Sequence, residues 1–156
     1  NPLSANNFAI KGNISMAIWF GAISLEDARA RSRGTMIEAC GIEIISCGED
    51  WVKGRMPVDN RTRQIYGILH GGASCVLAET LGSWASAMVV DPAKYRVVGL
   101  EINANHVRSV SEGWVEGVAS PIHLGRTTHI WDIRITNAEN KLVCVSRLTT
   151  AILQGK

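Results

Sequence analysis

The sequence predicts an α+β domain in which a curved antiparallel sheet wraps around one long central helix, and three observations lead there. A long apolar segment, from about Gly72 to Val90, has small residues almost all the way round, so as a helix it must be covered on most sides. Six stretches of strand-like composition flank it, two before and four after. The last three of these are joined by short turns and read as an antiparallel meander. A chain of 156 residues has room for one domain with a substantial core and not for a second.

Taken in order, residues 1–17 are rich in Asn, Ser and Gly without a clear period, and read as a leader or frayed extension; the domain is placed at 18–156. A short helix is expected from about Ser24 to Ser32, because Ser24 with Asp27 resembles an N-terminal cap and Gly34 can end it. Strands follow at Gly41 to Ser46 and Trp51 to Pro57, separated by the turn Cys47-Gly48-Glu49-Asp50. The apolar helix comes next, and Asp91-Pro92 ends it. Four more strands are expected at Val97 to Val107, Trp114 to Ser120, Thr128 to Thr136 and Leu142 to Leu153. Alternation is clearest in Ile130 to Ile135, where Trp131, Ile133 and Ile135 share one face and Asp132 and Arg134 the other.

Composition removes several function classes. The formal charge is only +2, with 16 basic and 14 acidic side chains interspersed, which is no footprint for nucleic acid. No apolar run reaches the roughly 18 to 20 residues that a membrane span needs. Cys40, Cys47, Cys75 and Cys144 show neither CxxC spacing nor a secreted disulfide framework, so they read as free thiols of a cytoplasmic protein. His123 and His129 lack carboxylate or thiolate neighbours at metal-ligand spacing, and no metal is expected. A serine triad at Ser74 fails because Gly-x-Ser-x-Gly is absent. The five tryptophans are dispersed and read as core or interface anchors.

The segment that carries chemistry runs from Gln64 through His70-Gly71-Gly72 to Glu79 and Ser83. Two glycines at the start of a helix let the backbone turn and bring free N–H groups close to a ligand, where the helix dipole favours negative charge. Such a place can polarise a carbonyl and stabilise the oxyanion that forms on attack. Glu79 is a charged residue on an otherwise apolar helix, with Ser83 one turn further on the same face. A carboxylate buried without a cation is costly, which favours a functional role. Glu79 follows Gly71 by eight residues, roughly 12 Å along one helix. A carbonyl held at Gly71 is out of reach of Glu79 in the same chain, so if both act on one carbonyl the active unit is at least a symmetric dimer.

These residues, together with Val97 to Ser109, His123-Leu124-Gly125 and Ser146 to Ala151, resemble the hotdog-fold thioesterases, in particular the group of dihydroxynaphthoyl-CoA thioesterases and enterobactin proofreading thioesterases. The likeness runs from about Ile18 to Leu153. It implies a hotdog fold, a homodimer as minimal active unit and assembly to a homotetramer. It also implies hydrolysis of an acyl-CoA with an aromatic acyl group, with coenzyme A as part of the substrate and no further cofactor. Glu79 would be nucleophile or general base, the Gly71 N–H would polarise the thioester carbonyl, and His70 would lie near the sulfur. Gln64 would orient the carbonyl or water, and Ser83 would support Glu79 or position water. For the coenzyme A end the candidates are His106, Arg108, His123 and Arg126, each of which could equally belong to a solvated surface. Ile65-Tyr66 and Trp84 depart from the family's common residues and would reshape the acyl pocket. An acyl-carrier protein remains open as the thiol carrier. A non-catalytic acyl-CoA sensor and a hydratase or dehydratase on the same fold stay as alternatives.

Overall fold

The structure, a computed structural model, describes residues 17–155, so the expectation for the N-terminal extension falls, apart from Ala17, outside the described residues. From Ile18 onward the chain is tied down: the Ile18 N–H donates to the Glu49 carbonyl and the Phe20 N–H to the Met88 carbonyl. The order of elements is α1 (Leu25–Arg31), α2 (Met36–Ala39), β1 (Glu43–Cys47), β2 (Val52–Pro57), α3 (Gly71–Val89), β3 (Tyr95–His106), β4 (Trp114–Leu124), β5 (Thr128–Asn137) and β6 (Leu142–Gln154). The six strands form one antiparallel sheet in the order β1-β2-β4-β5-β6-β3, which leaves β1 and β3 as its edges.

The first helix forms as its cap predicts, with Ser24 Oγ accepting the Asp27 N–H at 3.1 Å. The second was not foreseen. Its signal is Thr35 three residues before Glu38: Thr35 Oγ1 accepts the Ile37 N–H, and Glu38 Oε2 reaches back to the Gly34 N–H at 2.7 Å. This turn of helix moves the start of β1 from Gly41 to Glu43, because Gly41 is needed at φ +68° to leave the helix. Strand β4 runs four residues beyond the expected end, through Pro121. The proline is tolerated because β2 stops pairing at Ala119, so its missing N–H faces an open side.

One core joins sheet and helix. Val52, Met56, Leu77, Leu81, Val115, Trp131, Ile133, Ile135 and Leu148 are all fully buried. Helix α3 lies close on the sheet because two strand positions opposite Leu81 carry no side chain. A Cβ at Gly54 or Gly117 would stand 2.6 or 2.7 Å from the Leu81 methyls. Leu81→Ala is expected to cost about 3 kcal/mol of stability, read as a lower urea midpoint.

The expectation that α3 is covered on most sides requires correction within one chain. Ser74, Leu77, Ala78, Leu81, Gly82, Ala85 and Ser86 form its buried face, whereas Ala73, Val76, Glu79, Thr80, Ser83, Trp84 and Ala87 are only half-buried. The sheet covers one side of the helix and leaves the other side partly open.

Where α3 meets β5 and β6, a buried polar group is satisfied in full. Ser86 Oγ accepts the Trp131 Nε1–H at 2.6 Å and lies 2.9 Å from Thr150 Oγ1 and 3.3 Å from His129 Nδ1. Burial lowers the His129 pKa, helped by the nearby His123 and opposed by a backbone hydrogen bond with Gly125. The unfolded chain, with an ordinary value of about 6.5, therefore binds more protons than the folded one below that pH. Stability from neutral His129 is complete above about pH 6.5 and is lost as the pH falls through the lower folded value. The melting temperature of wild type should drop between pH 7.5 and 5.5 by more than that of His129→Asn; equal drops would refute the assignment.

Candidate active site

The chain enters α3 through a short, tightly fastened loop. Arg63 and Leu69 pair across its base, the Gln64 N–H donates to the Ile68 carbonyl, and Gln64 Oε1 accepts the Tyr66 N–H at 2.6 Å. Gly67 at φ +76° allows the chain to reverse. Ile65 and Tyr66, at the tip, are 92% and 81% exposed. The His70 N–H donates to the Thr62 carbonyl at 2.8 Å, which fixes where the helix begins.

His70 is the cap of α3, with its Nδ1 accepting the Gly72 N–H at 2.8 Å. A ring nitrogen that accepts carries no proton, so the ring N–H of His70 is placed at Nε2. The N–H groups of Ala73 and Ser74 are turned to the His70 carbonyl. The Gly71 N–H, among the described residues, has no acceptor. It is an open donor at the positive end of a helix of 19 residues.

Two cavities flank this point. One, of about 370 Å³, is lined by Gly71, Ser74, His106 and Arg108 among others. The His106 ring lies directly over Gly71, where a Cβ would stand 2.7 Å from Nε2. Arg108 Nε donates to the Leu142 carbonyl at 3.3 Å. The other cavity, of about 390 Å³, is lined by Arg61, Arg63, His70, Gly72 and Val76. Arg61 is held there by Asp59, whose carboxyl is lowered to about 2 by the hydrogen bonds from the Arg61 side chain and backbone.

Glu79 sits two turns further along α3, half-buried, and accepts a hydrogen bond from Ser83 Oγ at Oε1, 3.1 Å. The backbone of Gly99 on β3 also lies close to it. Burial, and then the charge of Glu79, raise the Cys75 thiol above its ordinary value. Cys144 is pushed up to about 11 by burial. Gly71 and Glu79 share one helix, roughly 12 Å apart along its axis. His70 and Gly71 thus stand together at the N-terminus of α3, Gln64 lies in the loop before it with its side-chain oxygen on the Tyr66 N–H, and Glu79 with Ser83 forms a separate cluster.

The four coenzyme A candidates fall into two pairs. His106 and Arg108 adjoin Gly71, whereas Arg126 lines a cavity of about 490 Å³ at the other end of α3 with Val90, Lys94 and His129. His123 is beside that cavity, its ring against Gly125. Sequence reasoning passed over Gly99 and the Arg61–Arg63 wall. An isolated glycine within a strand is a signal for close approach and could have marked Gly99; nothing in the spacing of Arg61 and Arg63 points to His70.

Residues 66–144 match the family model of the thioesterase superfamily. Over 136 residues the chain is 49% identical to a 1,4-dihydroxy-2-naphthoyl-CoA hydrolase of Escherichia coli, covering 87% of this chain and 99% of that enzyme. It is 47% identical, also over 136 residues, to a proofreading thioesterase of Cronobacter turicensis, covering 87% of this chain and 98% of the relative. Among solved structures, a mutant thioesterase from Pseudomonas aeruginosa superposes with a TM-score of 0.88 at 45% identity, covering 89% of this chain and all of that one. A thioesterase from Haemophilus influenzae does so with a TM-score of 0.85 at 46% identity, covering 88% and 95%. The open donor, the apolar helix inside its sheet and these likenesses agree, and the chain belongs to the thioesterase superfamily as a hotdog-fold thioester hydrolase.

Proposed function

We propose that the protein hydrolyses aromatic acyl-CoA thioesters at a site shared between two copies of the chain, with Glu79 of one copy acting on a carbonyl held by Gly71 of the other. The observation that carries this reading is the open Gly71 N–H at one end of α3 and a Ser83-held carboxylate on the same helix, too far along it to act on one carbonyl. A two-fold axis perpendicular to α3 and beside it removes the conflict, since it sets two such helices antiparallel. Two features support that axis. The half-buried stripe of α3, from Ala73 to Ala87, needs a cover. Strand β3 is a sheet edge of twelve residues with Val98 and Leu100 exposed, able to pair with its own copy.

Antiparallel pairing of β3 would bring its Tyr95 end beside the partner's His106 end. The Arg126 cavity of one copy then adjoins the His106 and Arg108 cavity of the other. The two pairs of cations, separated within a chain, would together line a path for the phosphates and pantetheine arm of coenzyme A.

The chemistry follows from the groups. The Gly71 N–H donates to the thioester oxygen and to the oxyanion that replaces it. Glu79 either attacks the carbonyl carbon, giving a mixed anhydride that water opens, or takes a proton from water as that water attacks; in both the C–S bond breaks and coenzyme A leaves as thiolate. The Nε2–H of His70 can meet the sulfur, and Gln64 can orient carbonyl or water. Ser83 fixes Glu79. No metal or further cofactor enters this scheme. The four free thiols fit a reducing cytoplasm, and the exposed Phe20, Ile122 and Leu153 offer apolar surface for a dimer of dimers.

The aromatic preference is supported by the naphthoyl-CoA relative and by Trp84, beside Ser83 on the half-buried stripe. Benzoyl-CoA should exceed hexanoyl-CoA in kcat/KM by at least about tenfold, followed as free thiol. A reversed order would overturn the aromatic assignment, and the same panel on an acyl-carrier protein tests the carrier. Binding without thiol release from any thioester would favour a sensor.

A further inference from the structure

Gly99 lies on β3 where the side chain of Glu79 comes down onto the strand. A Cβ at this position would stand 2.3 Å from Glu79 Oε1, 3.2 Å from its Cδ and 3.6 Å from Oε2. Carbon and oxygen at rest need about 3.5 Å. The register of the sheet slips at the same point: Gly99 pairs with Thr150 and Glu101 with Thr149, so Leu100 is the extra residue of a β-bulge. A bulge bends its strand and re-aims what lies beside it. Ser83 Oγ meets the same Oε1 from the helix side at 3.1 Å. The carboxylate is therefore held between a hydroxyl on α3 and a bare backbone on β3.

We infer that Gly99, with the bulge at Leu100, is a positioning residue that seats the Glu79 carboxylate for attack, a claim that rests on the proposed role of Glu79. Any side chain here displaces Oε1 by about 1 Å and takes it from Ser83. What yields is the far end of a flexible side chain, so neither strand nor helix has to move. The loss falls on turnover and leaves the fold intact.

With benzoyl-CoA, Gly99→Ala should lower kcat about 100-fold while KM stays within about threefold. In a Glu79→Asp background, whose shorter carboxylate is withdrawn from the slot, Gly99→Ala should cost less than about threefold. Wild-type turnover of Gly99→Ala, or an equal loss in both backgrounds, overturns the inference. Should Gly99→Ala melt early, Glu79→Ala in the same chain must restore the melting temperature; a melt that it leaves unchanged also overturns the inference. The two readings fail separately. A fully active Glu79→Gln sinks the role of Glu79 itself, whereas an inactive Glu79→Gln beside a fully active Gly99→Ala sinks the seating alone.

Discussion

Glu79→Gln should lose about a thousandfold in kcat on benzoyl-CoA while keeping its melting temperature and its assembly. The substitution keeps the length of the side chain and an oxygen that can still accept from Ser83 Oγ, so the 3.1 Å hydrogen bond survives. What disappears is the negative charge, and with it the nucleophilicity and basicity needed to attack carbon or take a proton from water. Because Gln cannot do either at neutral pH, the remaining rate should be that of polarisation by the Gly71 N–H and of binding alone. A merely structural Glu79 predicts the opposite pattern, a changed melting temperature with turnover kept. KM should move little, since the carboxylate interacts mainly with the transition state. Label found in the Glu79 side chain after single turnover in ¹⁸O-labelled water would require attack by the carboxylate, with water opening the anhydride at the Glu79 carbon.

Much of the fold was legible because its strongest signals are local. The alternation of Trp131, Ile133 and Ile135 reports a buried face that the structure bears out, all three being fully buried. Helix α3 was legible from an apolar run broken by one carboxylate and ended by Asp91-Pro92. The misses have physical causes. Helix α2 is a single turn whose formation depends on its cap and not on any periodicity. The end of β4 was hidden by Pro121, which is harmless only because β2 has already ended beside it, a fact of strand order. The separation of His106 and Arg108 from His123 and Arg126 has the same origin. It becomes visible only when β3 is placed at the sheet edge and α3 across its face. The contact between Glu79 and Gly99 joins a helix to a strand twenty residues on, and no residue pattern along the chain encodes it except the bare glycine.

Mixing two inactive subunits tests the shared site most severely. Gly71→Pro removes the open N–H while suiting the first position of a helix, where proline is favoured. It also adds atoms where the His106 ring lies, so Gly71→Ala is the necessary control: alanine disturbs His106 in the same way, at 2.7 Å from its Nε2, but retains the donor. Gly71→Ala should therefore keep far more activity than Gly71→Pro. Each of Glu79→Gln and Gly71→Pro alone should be nearly dead as a homodimer. In a mixed dimer the two lesions fall together in one site, and the other site receives an intact Gly71 from one copy and an intact Glu79 from the other. Random exchange makes about half of the dimers mixed, each with one working site of two, so activity should return to about a quarter of wild type. A site built within one chain gives no recovery whatever the mixing. Native mass spectrometry counts the mixed dimers, and their presence without regained turnover would show that Glu79 and Gly71 do not meet across the axis.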